Sequence, residues 1–441
     1  NALSQDEVAS ARILREPTLP AALHRVVHTE STPPLWYSLA WLCHHAGVPI
    51  VDTRLLSVAV GAGLAVAVYL LAEALLPRWA ALAAAGLVAV GYEPVYHGAE
   101  LRSYELLALL SALLGLVLLR RRAGLALAAI VWAGLLTHYF FVYSVAAALA
   151  WLWLDPAARA LRRRATLSIA AGAALAAPWL PAFLVQLHND RFWWIKPFSA
   201  RVVAVTPLRL FVPFRFESLP LALAVLALAA AGALLPARAS ADGRLLGALA
   251  FGPLVLAACV WAAGERDYAV RNLIEIAPFL AVAGAAALAA LPRPAALAAA
   301  AASVAAVAAA AVPQATLLPP YQQVARTLVS EGWHPSDPIA VFGNVFSFRA
   351  PLEWYLPHNP LLDVSHATDS ECSALFVIVR AEGRGKLPAD VESSRRAGDF
   401  LVARLDDVRA ATLRRATVLA PLRRAPRCVQ PSHNPRLEPL S

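Results

Sequence analysis

The sequence predicts an α-helical polytopic membrane protein with a small α/β domain after its last span. Three observations carry this. The 441 residues are 59% hydrophobic and only 15% charged, with a mean hydropathy of +0.59, more apolar surface than a soluble core can hide. Apolar runs of membrane-crossing length recur between residues 51 and 313. The basic residues behind the net charge of +9 fall in short clusters between those runs, as membrane orientation requires. A nucleic-acid partner is therefore excluded, since its footprint would be one continuous basic face.

Residues 1–50 read as a first external loop with interfacial helices. Ser4 and Glu7, three places apart, form a capping box that starts a helix with Asp6 and Glu7 in its first turn, ending near Pro17. Acids there suit the helix dipole, whether or not they also do chemistry. Pro33-Pro34 opens a short aromatic helix, Leu35 to Ala46, too short to span and so expected to lie in the interface. The opening is polar, so no cleavable signal is expected in it, and the lack of any Met leads us to expect more chain upstream of Asn1.

About ten spanning helices are expected in a transmembrane core at 51–315: 51–76, 79–97, 103–119, 124–138, 139–154, 165–186, 218–236, 245–263, 272–291 and 295–313. The pair 124–138 and 139–154 is short and could fuse differently. The alanine-rich last member also fits a soluble helix. Arg78, Arg120 to Arg122, Arg159, Arg162 to Arg164, Arg238, Arg244 and Arg293 fall on one side, opposed there only by Asp155 and Asp242. By the positive-inside rule that side is cytoplasmic. Asp6, Glu7, Glu30, Glu100, Arg102, Tyr104, His138, Tyr139, Arg266, Asp267, Tyr268 and Arg271 then share the outer face.

The stretch from His97 to Glu105 organises the chain, because it sets ionisable groups between two nearly uncharged apolar runs. Such charges cost roughly 2.5–3.5 kcal/mol each at a helix centre and less near the interface, so they pair, face a cavity or work. Simple anchoring of two helices by Arg and Tyr is the plainer reading. His138, at a helix junction, fits a core histidine as well as a ligand, and Arg266 and Arg271 also fit interface anchors. The aromatic loop at 188–216, with Trp193, Trp194, Lys196, Arg201 and Arg209, reads as an interfacial belt or as a lid over a lipid substrate.

Residues 316–441 read as an extracytoplasmic α/β domain. Tyr321 to Gly332 and Arg349 to Tyr355 are expected as helices; Pro338 to Phe342, Ala374 to Val379 and Phe400 to Leu405 as strands; and the tail from Arg423 as irregular. It shows no Gly-rich phosphate loop and no nucleophile motif. Cys43, Cys259, Cys372 and Cys428 form no CxxC, which argues against zinc, while Cys372 and Cys428 are either a disulfide or two thiols.

Outward carboxylates and arginines, roofed by aromatics and open to lipid, suit a substrate with a phosphate head and an apolar tail. Sugar transfer from a polyprenyl phosphate needs a carboxylate to take the acceptor's proton and positive charge for the departing phosphate. A single base suffices for an inverting displacement, unlike the paired carboxylates of glycosidases. A secondary transporter or lipid flippase is the rival reading, and a scaffold a weaker third. Transporters tend to place polar groups near the bilayer midplane and to show internal repeats, and neither is found here.

Several short motifs come in order: Ser4-Gln-Asp-Glu7, Glu30 ahead of Pro33-Pro34-Leu-Trp-Tyr37, Thr53-Arg54-Leu55-Leu56-Ser57, Glu100-Leu-Arg102-Ser-Tyr104, Thr137-His138-Tyr139, and Arg266-Asp-Tyr268 to Arg271 ahead of Pro278. Together, over residues 4 to 290, they resemble the GT-C membrane glycosyltransferases related to protein O-mannosyltransferases and aminoarabinose transferases (family 39-like). The resemblance implies Asp6 as catalytic base with Glu7 supporting it. It implies Glu30 and Glu100 as ligands of a divalent metal or of substrate, and Arg102, His138 and Arg271 facing the donor phosphate. Tyr104, Tyr139 and Arg266 join them as substrate-binding candidates. Glu30 stands three places before Pro33, and Arg102-Ser-Tyr104 occupies the place where some relatives carry an Asp. Implied partners are a polyprenyl-phosphate sugar donor, membrane lipid, and a glycan, lipid or protein acceptor at the outer face of a bacterial plasma membrane.

Overall fold

The computed structural model describes residues 3–188, 195–239, 241–315, 321–334, 339–341, 351–352, 354–356, 361–368, 376–380, 391–397, 400–405 and 428–429. The chain divides into two compact units, residues 1–9 with 318–441 and residues 10–317.

The larger unit is helical. Helix α1 (Gln5–Leu14) leads into it, followed by α2 (Leu19–Thr29) and α3 (Leu35–His45). Helix α2, not anticipated from the sequence, starts where Thr18 caps it by accepting from Ala21 N–H at 3.4 Å. Then come α4 (Arg54–Glu73), α5 (Arg78–Val90), α6 (Tyr92–Gly98), α7 (Tyr104–Leu119), α8 (Leu125–Leu135) and α9 (Phe141–Leu154). They are followed by α10 (Arg159–Ala176), α11 (Leu180–Leu187), α12 (Ala200–Arg209), α13 (Leu219–Ala239), α14 (Ala241–Ala262), α15 (Ala277–Ala289) and α16 (Arg293–Ala315).

All ten expected apolar segments are helical, but their lengths differ. Five are long and apolar enough to cross a membrane: Arg54–Glu73, Pro156–Leu187, Asp242–Ala262, Val270–Ala289 and Arg293–Pro313. Helices α5 and α6, bent by 56°, make a sixth if they are one broken span. The others, in α7, α8, α9 and α13, are apolar helices of 10–17 residues. At 1.5 Å per residue α8 reaches only about 16 Å, roughly half a hydrocarbon core. The bend after α5 frees backbone donors, and these are satisfied: Tyr92 and Glu93 N–H donate to the carbonyls of Phe211 and Leu210, both at 3.1 Å.

Val270–Ala289 is 83% buried, which makes it the centre of the bundle. Helices α5, α7, α13 and α14 pack around it. Close approach is set by small residues: a Cβ on Gly232 of α13 would lie 1.7 Å from the Ala283 carbonyl oxygen of α15. Within the expected 188–216 loop, 200–209 is a helix with Val205 to Leu208 buried, while Trp193 and Trp194 lie outside the described residues.

In the smaller unit, α17 (Tyr321–Ser330) accompanies strands β1 (Ile339–Val341), β2 (Leu361–Thr368), β3 (Phe376–Arg380), β4 (Val391–Ala397), β5 (Phe400–Leu405) and β6 (Cys428–Val429). The sheet order is β4-β5-β3-β1-β2-β6, with β1 parallel to β2 and β3, and β5 antiparallel to β3 and β4. Val324, Leu328, Ile339, Phe376, Ile378 and Val402 form its core. Cys372 lies outside the described residues.

Candidate functional site

The 99–103 link between α6 and α7 presents Arg102 to the start of the larger unit. Its Nη1 donates to Glu30 Oε2 at 3.0 Å, to Tyr37 Oη at 3.1 Å and, at the limit, to Ser10 Oγ at 3.5 Å. Glu30 caps the end of α2, where its own N–H donates to Val26 O at 3.0 Å. Tyr37 donates to Glu30 Oε2 at 2.9 Å, so Thr32, 3.0 Å away, donates to Tyr37. Glu30 and Arg102 are 4% and 9% exposed. Two charges so deeply buried are retained only when paired. Burial also raises the Tyr37 phenol far above its ordinary range, so it stays a neutral donor.

A second group adjoins the first. His97, on α6, has Nδ1 2.8 Å from Glu100 Oε2 and Nε2 2.9 Å from Glu93 Oε2. Each interface needs one hydrogen, so the triad holds two shared hydrogens and a net charge of −1 wherever those protons sit. Ser57 of α4 fixes the backbone by donating to the Glu100 carbonyl at 2.8 Å. The Tyr104 ring lies 4.2 Å from that of His97 and 5.6 Å from that of His138, and the Arg271 guanidinium stands 5.8 Å from its centroid.

His138 sits between α8 and α9. The Phe140 N–H donates to its Nδ1 at 3.2 Å, which leaves Nε2 as the protonated nitrogen. Burial first, and then the charges of Arg102, Arg271 and His97, depress its pKa to about 3. It is therefore a neutral donor among cations. Tyr139 takes a Trp179 indole hydrogen at 3.1 Å and donates to Gln186. The Gln186 amide in turn donates to Val26 O at 2.9 Å and Thr32 O at 3.3 Å, beside Glu30.

Of the residues singled out in sequence, Glu30 and Arg102 fall in the first group and Glu100, Tyr104, His138 and Arg271 in the second, near enough that the Arg102 charge acts on His138, and Tyr139 braces the first through Gln186. Arg266 is exposed, next to Asp267, whose carboxylate accepts from Tyr143 at 3.2 Å. The capping box forms as expected: Ser4 N–H donates to Glu7 Oε2 at 2.8 Å, and Glu7 N–H to Ser4 Oγ at 3.3 Å. That occupies the buried Glu7 carboxylate with a helix start, and Asp6 beside it is half-buried.

Sequence reading passed over Glu93 and Thr32, and it quoted Tyr37, Ser57 and His97 in its motifs without giving them a role. The i−4 and i+3 acids around His97 were the available signal. Glu105 was passed over too; it is 1% exposed, and its Oε1 has no hydrogen-bond partner among the described residues.

Glu30 and Glu100, the expected metal ligands, each have one oxygen engaged by a neighbouring side chain, Arg102 and His97 respectively. No group of three His, Cys, Asp or Glu among the described residues could hold an ion.

No family model and no curated protein sequence matches the chain. Solved structures do. ArnT from Cupriavidus metallidurans in the apo state is 12% identical with a TM-score of 0.50, over 91% of this chain and 93% of that one. The same protein bound to undecaprenyl phosphate matches equally, at 12% identity and TM-score 0.50, over 91% and 92%. The arabinofuranosyltransferase AftD from Mycobacteria is 16% identical with a TM-score of 0.50, over 92% of this chain but only 40% of that longer one. The arrangement of helices described above is thus the GT-C fold of membrane glycosyltransferases.

Proposed function

We propose that the protein is an inverting glycosyltransferase that moves one sugar from a polyprenyl-phosphate donor to a hydroxyl acceptor at the outer face of a bacterial plasma membrane. The observation that carries this is the gathering of Arg102 and Arg271 around Tyr104 and neutral His138 in a buried network of a GT-C fold. The undecaprenyl phosphate bound to ArnT supports the choice of donor class.

In this reading the acceptor oxygen attacks the anomeric carbon while a carboxylate base, which the resemblance implies to be Asp6, takes its proton. The bond from that carbon to the phosphate oxygen breaks, and the electron pair leaves with the phosphate. Arg102 and Arg271 stabilise the charge that develops there, with His138 Nε2–H as a neutral donor that adds no repulsion to the arginines. Phosphate leaves readily at neutral pH, so no acid catalyst is required. Glu30 and Tyr37 hold Arg102 in place, and the His97 triad sets Tyr104 beneath Arg271. Glu30 and Glu100 act through these cations. The lipid tail and the acceptor, a glycan, lipid or protein, lie beyond these residues.

In membranes supplied with labelled polyprenyl-phosphate sugar, Asp6→Asn is expected to abolish both sugar transfer and release of polyprenyl phosphate, with expression intact. Full activity in that variant would remove Asp6 from the role. Donor-dependent translocation without release would point to a transporter instead.

A further inference from the structure

Helix α10 opens with Arg159, Arg162, Arg163 and Arg164 and carries no acid in its first turn. Cations at that end of a helix oppose the dipole, where an anion would be stabilised. Arg159, Arg162, Arg163 and Thr166 follow helical spacing and share one face. With Trp153 and Leu167 they line a cleft of about 240 Å³, room for a headgroup but not a whole lipid.

Nearby acids do not neutralise it. Asp155 is held by Arg244 at 2.7 and 3.0 Å, and Asp242 accepts from Arg121 at 2.8 Å. Arg162 spends its bonds on the last carbonyls of α9, Leu152 at 2.8 Å and Trp153 at 3.0 Å, with its guanidinium 5.1 Å from the Trp153 ring. Among the described residues no carboxylate pairs with Arg159, Arg162 or Arg163. The Thr166 hydroxyl oxygen, in this lining, is buried and has no hydrogen-bond partner among the described residues. Alongside, Trp153, Leu154 and Leu167 are 56%, 81% and 59% exposed, an apolar rim at the end of two membrane helices.

We propose that this cleft binds the phosphodiester headgroup of an anionic membrane phospholipid. Arg159 and Arg163 meet the phosphate oxygens, the Thr166 hydroxyl donates to one of them, and the acyl chains lie along Trp153 and Leu167. The apolar rim favours a lipid over a free phosphate compound. The site is independent of sugar transfer, and it supplies the counter-anion that the helix start lacks.

The test uses the full chain in detergent micelles, with native mass spectrometry counting bound lipid. Phosphatidylglycerol is expected to be retained over phosphatidylcholine. Arg159→Gln with Arg163→Gln is expected to weaken phosphatidylglycerol binding about 25-fold, about five-fold per arginine, and to leave phosphatidylcholine unchanged. Should that variant fail to fold, Thr166→Val is expected to weaken it about three-fold. Soluble glycerol 3-phosphate at equal concentration is expected not to displace the lipid. Equal retention of the two lipids, unchanged affinity in the folded variants, or displacement by glycerol 3-phosphate would each overturn the proposal.

Discussion

Removing Glu30 alone should injure the protein more than removing Glu30 and Arg102 together. Their side chains are 5% and 10% exposed and 3.0 Å apart, so Glu30→Leu takes a buried carboxylate away from the Arg102 guanidinium. Stranding one member of a buried pair costs about 3–5 kcal/mol, because the other charge stays desolvated and uncompensated. Glu30→Leu with Arg102→Met removes the stranded charge, and the packed apolar replacement is expected to regain most of that loss. The cycle is then strongly non-additive, with a coupling of about 3 kcal/mol. Thermal and denaturant unfolding of the detergent-purified variants would measure it. Sugar transfer should fail in Glu30→Leu, in Arg102→Met and in the double variant, because Arg102 is assigned to the leaving phosphate in the proposed reading. A double variant that recovers stability and also transfers sugar would refute the reasoning, leaving the pair a structural device.

Two other outcomes follow from the geometry. His138 has its pKa depressed from 6.5 to about 3, so the stability it contributes is present above pH 6.5 and is lost as pH falls toward 3, when the unfolded chain takes up the proton first. His138→Gln should flatten the acid side of the stability profile by up to about 1.4 kcal/mol per pH unit, and an unchanged profile would count against a neutral buried imidazole. Gly232→Ala would drive a methyl into the Ala283 carbonyl, and overpacking of this kind costs about 1–3 kcal/mol; a variant with wild-type unfolding temperature would show that α13 and α15 separate freely.

The membrane helices were legible because hydropathy is a local property, read window by window, and each expected segment is helical. Length was less legible. The chain of α5 and α6 looks like one run until Gly91 breaks it, and only the carbonyls of Leu210 and Phe211, far along the sequence, make the break tolerable. In the smaller unit β3 and β5 announced themselves by apolar runs. Strand β4, Val-Glu-Ser-Ser-Arg-Arg-Ala, did not, because it is a sheet edge paired on one side only and its described side chains are mostly polar.

At the site, residue type was legible and role was not. Glu30 and Glu100 are acids in places where a metal ligand would serve, and nothing in the string of letters distinguishes that use from another. What decides is the partner: Glu30 faces Arg102 from 72 positions away, and Glu100 faces His97 across one turn. A carboxylate that already neutralises a guanidinium has little charge left for a cation, but it fixes where that guanidinium points. In the proposed reading the acids of this network work at one remove, by aiming positive charge. In the same reading His138, beside Arg102 and Arg271, is more useful uncharged: a protonated ring would crowd the phosphate's proposed binding groups, whereas a neutral Nε2–H adds a donor at no electrostatic cost.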